Sequence, residues 1–311
     1  MKKIVFLFPG QGSQYVGMGM DIARSFPVAA QVFEQASQVM GFDLKELCFQ
    51  GPEDKLNQTV YTQPAVLTTS AAILAVLESH GISAQWAAGH SLGEYTALLA
   101  AKVFSLPEAL NLVQRRAEYM SQAVLPGEGA MAAVVGLERE HVIDLCSRFT
   151  QPDMVEAANF NCPGQIVISG LKKTVEQAVS LCKEKGAKMC TVLPVSVPSH
   201  CSLMAPAASR LIQTLEKAKL AAPRFPVIAN VNARSADDGK QIKELLVKQV
   251  YSPVLWEDSI RYLLGQGAEL FIEVGPGKVL SRLLKRISNE AVVVNVEDTS
   301  SLQRALTFIA N

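Results

Sequence analysis

The sequence predicts an α/β fold, a mostly parallel sheet with helices on both faces, interrupted by a smaller β-α-β-β-α-β unit. Three observations predict it. Short apolar runs of strand length alternate with longer helix-period stretches along most of the 311 residues, which is the order that builds parallel sheets. Pro126-Gly127-Glu128-Gly129 punctuates the chain, and the spacing of elements tightens after it. At Pro198 the wider spacing resumes. The length corresponds to two domains of about 150 residues each, or to one domain carrying an insertion.

The elements follow in order. Residues 3–8 are a short apolar run ending in Pro9-Gly10-Gln11-Gly12, the profile of a buried strand meeting a loop. A helix-period stretch rich in Ala, Leu and Val covers 64–78, a short strand follows at 85–89, and a helix opens at Ser91 and runs to 99. Ser105 with Glu108 is a capping-box signature for a helix over 105–123. Within the insertion the spacing predicts a strand at 130–135, a helix at 139–148, strands at 155–160 and 165–169, a helix at 174–185 and a strand at 188–193. That is the ferredoxin-like order. The predicted division is therefore 1–126 with 198–311 as one discontinuous domain, and 127–197 as the small one. After Pro198 come a helix over 203–217, a strand at 227–229, helices over 240–249 and 256–264, a strand at 270–274, a helix at 279–287 and a β-α ending.

Composition narrows the function classes. Lys and Arg total 29 and Asp and Glu total 29, so no global field attracts a polyanion and nucleic-acid binding is disfavoured. The apolar run at 4–8 is too short for a signal core, and on a sequence reading no stretch reaches the roughly 20 apolar residues of a membrane span. The six cysteines are scattered without a CxxC pair, as expected of free thiols in a reducing compartment. These features predict a cytoplasmic protein with no membrane contact.

Cofactor motifs fail on inspection. Gly10-Gln11-Gly12 would need glycine where Tyr15 stands to match a dinucleotide fingerprint, and Glu34 lies in a helix-like stretch rather than at a strand end. Gly275-Pro276-Gly277-Lys278 is followed by Val279 rather than Ser or Thr, so it is no P-loop. No HExxH or Cys/His cluster suggests a metal.

Gly89-His90-Ser91-Leu92-Gly93 matches G-x-S-x-G in the strand–turn–helix context that presents a serine hydroxyl. The bland alternative is a tight turn in which Ser91 only caps the helix. Of the four histidines, His90 adjoins the serine but leaves the elbow in another direction, and His80 and His141 fall in solvated helical contexts. His200 follows Pro198-Ser199 where the chain returns to the large domain, and is either the base for Ser91 or an ordinary buried or surface histidine. On the 105–123 helix, Ala109, Leu110, Val113, Ala117, Met120 and Val124 form an apolar stripe, and Arg116 points along it. An inward guanidinium needs an anion, which is either a structural carboxylate or a substrate carboxylate near Ser91.

Taken together, these residues resemble a known family. Phe8-Pro9-Gly10-Gln11-Gly12-Ser13-Gln14, Gly89-His90-Ser91-Leu92-Gly93-Glu94-Tyr95 and Val197-Pro198-Ser199-His200 are similar to the malonyl-CoA:acyl carrier protein transacylase family of acyltransferases. So are Asn159-Phe160-Asn161 with Pro163-Gly164-Gln165, Gln249-Val250-Tyr251-Ser252-Pro253-Val254, and Glu273-Val274-Gly275-Pro276-Gly277. The resemblance implies an α/β-hydrolase-like large domain with the ferredoxin-like insertion. It implies Ser91 as the acylated nucleophile, His200 as its base, and the backbone N–H groups of Gln11 and Leu92 as the oxyanion hole. Arg116 would bind the malonyl carboxylate, and Gln249 would orient His200 through its main-chain carbonyl. The implied reaction passes malonyl from malonyl-CoA to the phosphopantetheine thiol of acyl carrier protein, without metal or organic cofactor, in a monomer.

One further reading comes from periodicity. Lys278, Arg282, Lys285 and Arg286 recur on one face of the 279–287 helix, with Val279, Leu283 and Ile287 turned away. This basic face either docks an acidic carrier protein or is simply a solvated helix surface. Rival functions are a serine thioesterase or other hydrolase on the same elbow, an acyltransferase serving a polyketide or polyunsaturated-lipid synthase, and a non-catalytic protein that kept the fold.

Overall fold

The computed structural model describes residues 2–195 and 197–310. Its elements in chain order are β1 (Ile4–Phe8), α1 (Met20–Ser25), α2 (Pro27–Met40), α3 (Leu44–Gln50), α4 (Glu53–Leu56), α5 (Thr59–Ser79), β2 (Trp86–Gly89), α6 (Leu92–Ala100) and α7 (Leu106–Ser121). The small unit holds β3 (Gly129–Val135), α8 (Arg139–Ser147), β4 (Val155–Cys162), β5 (Gln165–Leu171), α9 (Lys172–Glu184) and β6 (Met189–Val192). A short 3₁₀ turn at Ser202–Met204 leads to α10 (Ala205–Lys217), β7 (Val227–Ile228), α11 (Gly239–Tyr251), α12 (Trp256–Gly265), β8 (Leu270–Val274), α13 (Val279–Ile287), β9 (Val292–Val296) and α14 (Thr299–Ala310).

Five strands in the order β7-β2-β1-β8-β9 form a sheet whose pairings are all parallel. Strand alternation explains its two covered faces. In β1, Ile4, Phe6 and Phe8 enter the large core under α2, α5, α6 and α7, while Val5 and Leu7 enter a second core under α12 and α13. The small unit is an antiparallel sheet in the order β4-β5-β3-β6, with α8 and α9 packed on one face.

Two expectations change. Strict β-α alternation fails at the start, because five helices separate β1 from β2. Much of what α2 buries is alanine, as at Ala29 and Ala36, so its apolar stripe is faint in the sequence. The absence of a membrane-length apolar segment also fails as stated. α5 is 21 residues long and apolar enough by composition to cross a membrane, but 83% of that window is buried inside the fold. It is the central core helix, packed against α2, α6 and α7.

Candidate active site

The elbow is forced by two close approaches. A Cβ on Gly93 would lie 2.0 Å from the Phe8 carbonyl oxygen of β1, and one on Gly89 would lie 1.9 Å from the Gly93 carbonyl. Glycine at both positions lets α6 start directly over the end of β2. Ser91 between them has φ 52°, a left-handed conformation that L-residues adopt only when the surroundings impose it. Its side chain makes no capping bond to α6, so the capping alternative is excluded. The hydroxyl instead meets His200 Nε2 at 2.7 Å.

His200 is held by the end of α11. The last carbonyls of a helix lack intrahelical donors, and two of these take His200. Nδ1 meets the Gln249 oxygen at 2.7 Å, and the main-chain N–H donates to the Val250 oxygen at 3.2 Å. A carbonyl can only accept, so Nδ1 carries the proton and Nε2 presents its lone pair to Ser91. Burial, reinforced by the neighbouring Arg116 charge, pushes His200 down to about 3. The imidazole is therefore neutral, with the Nε2 lone pair open to the Ser91 hydroxyl.

Arg116 is 1% exposed, as the stripe on α7 requires. Nη1 donates to Gln63 Oε1 at 2.7 Å, and Nη2 donates to Gln249 Oε1 at 2.9 Å and to Ser91 Oγ at 3.0 Å. Its Nε has no protein partner, and Tyr95 lies beside it, with Cζ 5.6 Å from the ring centroid. Among the described residues no carboxylate lies within ion-pair distance, so the structural-carboxylate alternative is not what the fold provides. Burial holds the Arg116 pKa below its ordinary value.

Gln11 and Leu92 both line the cavity beside Ser91. Among the described residues no acceptor takes either main-chain N–H. For Leu92 this follows from its place as the first residue of α6, where helix N–H groups are unsatisfied and the dipole favours negative charge. The cavity of ≈ 230 Å³ lies between the two sheets, with Met131, Asn161 and Val167 on the small-unit side. His90 does leave the elbow, its Nε2 meeting Asn161 Oδ1 at 2.9 Å. His80 and His141 are exposed.

Four polar partners escaped the sequence reading: Gln63, Glu94, Asn230 and the Gln249 side chain. Glu94 could have been suspected from a carboxylate set among Leu92, Tyr95, Ala97 and Leu98, all of them buried. Burial raises it to about 7. The basic residues on α13 are all exposed. Lys278 Nζ lies 3.7 Å from Glu297, Lys285 donates to the Ala291 carbonyl at 2.8 Å, and Arg286 bonds Gln165. One expectation is corrected. Val279 is not turned into the core, because the first turn of α13 lies at the cavity rim, where Val279 is 43% exposed and contributes to the lining. Leu283 and Ile287 are buried as expected.

A serine and a neutral histidine in contact, at the N-terminus of a helix with free N–H donors, define an enzyme of serine-dependent acyl transfer. The acyl transferase domain family matches residues 5–306. The malonyl CoA-acyl carrier protein transacylase of Haemophilus influenzae is 45% identical over 311 residues, covering 99% of this chain and all of that protein. That of Bacillus subtilis is 44% identical over 98% of this chain and 97% of its own length. An acyl carrier protein S-malonyltransferase from Vibrio cholerae superposes with a TM-score of 0.95 at 48% identity, over 98% of this chain and 100% of that one. A malonyl-transacylase solved in complex with its type II PKS acyl-carrier protein gives 0.97 at 44% identity, over 99% and 100% of the two chains. The chain belongs to the malonyl-CoA:acyl carrier protein transacylase family of acyltransferases.

Proposed function

We propose that this chain moves malonyl from malonyl-CoA to the phosphopantetheine thiol of an acyl carrier protein, through a malonyl ester on Ser91, in supply of fatty acid synthesis. One observation carries the reading. His200 Nε2 and Arg116 Nη2 converge on the same Ser91 oxygen, at 2.7 and 3.0 Å. A base and a carboxylate-binding cation at one nucleophile suit an acyl group that carries its own negative charge.

The steps follow from that geometry. Ser91 Oγ attacks the thioester carbonyl while its proton passes to His200 Nε2. The oxyanion sits against the N–H groups of Gln11 and Leu92, each worth about 3 kcal/mol of barrier. The C–S bond breaks, the His200 proton goes to the coenzyme A sulfur, and the malonyl ester remains on Ser91. A carrier thiol then repeats the sequence in reverse, giving up its proton to His200 and returning it to Ser91. Arg116 acts twice. It pairs with the malonyl carboxylate, and once paired it no longer opposes the imidazolium that forms on His200. The nucleophile, base, donors and carboxylate partner are all protein groups, so this chemistry calls for no metal or organic cofactor.

The finer architecture is part of the same proposal. Residues 127–197 form a ferredoxin-like unit inserted into an α/β-hydrolase-like domain of 1–126 and 198–311, supported by the strand order β4-β5-β3-β6. The carrier docks on α13. The first turn of that helix lies at the cavity rim through Val279, while Lys278, Arg282, Lys285 and Arg286 present positive charge to solvent. Among the described residues Arg282 alone of the four has no polar partner, so it contributes most. The protein acts as a cytoplasmic monomer.

The test is the initial-rate pattern with malonyl-CoA and carrier protein varied together. Parallel reciprocal lines are expected of the covalent route, and intersecting lines would overturn it. Competing release of free malonate at a rate matching transfer would favour the hydrolase.

A further inference from the structure

We propose that Glu94 is a positioning residue for this reaction, acting through Gln249 on both Ser91 and Arg116. The proposal rests on Ser91 being the acylated residue. Glu94 lies on α6, is 2% exposed, and forms no ion pair among the described residues. Its Oε2 accepts two N–H groups instead, from Gln249 Nε2 at 2.8 Å and from the Asn230 main chain at 3.0 Å.

Both donors lead back to the nucleophile. Asn230 Oδ1 accepts the Ser91 N–H at 2.7 Å, and Gln249 Nε2 also donates to the Ser91 carbonyl at 2.9 Å. The main chain that holds Ser91 at φ 52° is thus gripped by two amide side-chain groups, and the residues that supply them meet at one carboxylate oxygen.

The Gln249 amide also has a direction. Its Nε2 faces two acceptors, the Glu94 carboxylate and the Ser91 carbonyl, and its Oε1 accepts from Arg116. Reversing the amide would set its NH₂ against the guanidinium and its oxygen against a carboxylate. Glu94 therefore fixes which way Gln249 points, and Gln249 fixes where Arg116 waits for the substrate carboxylate. A carboxylate that merely tied α6 to the turn after β7 would need only the Asn230 bond.

The experiment measures single-turnover acylation of Ser91 by malonyl-CoA and by acetyl-CoA, using intact mass, in wild type, E94A, E94Q, Q249A and E94A/Q249A. The malonyl-to-acetyl rate ratio within one preparation is independent of the folded fraction. E94A is expected to lower that ratio by about tenfold, the scale on which outer hydrogen-bond partners set the groups they orient. E94Q keeps an acceptor oxygen and stays within about threefold of wild type. The double variant should be no worse than Q249A alone, because Glu94 acts through Gln249. If E94A does not fold, Glu94→Asp withdraws the oxygen by one methylene and is read by the same ratio. An unchanged ratio with a lowered melting temperature, or independent multiplication of the two single effects, would overturn the proposal. Wild type that neither thioester acylates would overturn the reading of Ser91 itself.

Discussion

Arg116 and Ser91 are in direct contact, with Nη2 donating to Oγ at 3.0 Å. The fold therefore holds a buried cation against its own nucleophile, with its two terminal nitrogens donating to the neutral oxygens of Gln63, Gln249 and Ser91 and its Nε left without a protein partner. On the proposed route, esterifying Ser91 would weaken the last of these acceptors, and a malonyl carboxylate would replace it where an acetyl group would not. Arg116→Ala should narrow the lead of malonyl over acetyl by about tenfold or more, in line with leaving a buried charge unpaired. Arg116→Lys should recover little of it, because one ammonium cannot span Gln63, Gln249 and a carboxylate together. Acylation rates with the two thioesters check this, and an unchanged ratio would contradict it.

The elbow makes a stability prediction. Gly93→Ala places a methyl 2.0 Å from the Phe8 carbonyl oxygen, a backbone atom of the central strand that cannot swing aside. The expected cost is about 2–3 kcal/mol, read as a lower urea midpoint with an unchanged slope. A midpoint equal to wild type would show that β1 and α6 can separate.

A third prediction concerns pH. His200 falls from 6.5 to about 3 on folding, so between those values the unfolded chain binds a proton that the folded chain does not. The neutral imidazole then stabilises the fold above about 6.5, and that contribution is lost as pH falls toward 3. Glu94 runs the other way, since its rise from 4.5 to about 7 gives stability that is lost as pH increases through that window. Comparing wild type with His200→Gln isolates the first effect. The melting-temperature difference should move against wild type as pH drops below about 6.5. A difference that stays flat from pH 7 to pH 4 would contradict a buried neutral histidine.

Charge reversal on α13 separates docking from chemistry. Glutamate at both Arg282 and Arg286 should raise KM for carrier protein several-fold and more steeply at low salt, and leave KM for malonyl-CoA alone. Arg286 also bonds Gln165 of the small unit, so Arg282→Glu by itself is the cleaner variant. Equal effects on both substrates would reject the docking face.

The sequence was informative where chemistry is local. The Gly89–Gly93 spacing revealed the elbow, the Ser105/Glu108 capping box formed with both of its bonds, and the stripe on α7 placed Arg116 inward. The order of the small unit was legible because its short apolar runs and helix-period stretches are separated by turn residues such as Pro163-Gly164, although its strands are buried almost continuously rather than alternating. Partners brought together by the tertiary fold were not legible. Gln249 and Asn230 lie 155 and 136 residues from Glu94, and nothing in their neighbourhoods marks them as polar groups that meet. His200 was singled out by its place where the chain returns to the large domain, but pattern alone left its role open, because what orients it is a helix-end carbonyl, and every residue has one of those. Val279 deceived the helical-face reading because the first turn of α13 borders a cavity rather than a core.

The central claim is that Ser91 carries the malonyl group between two thiols. Intact-protein mass measured seconds after mixing with malonyl-CoA tests it most directly, with Ser91→Ala alongside and carrier protein added afterwards. A malonyl adduct on wild type alone, discharged onto the carrier, is the predicted result. An adduct on the Ser91→Ala variant, or one that water removes as fast with carrier absent as with carrier present, would contradict it.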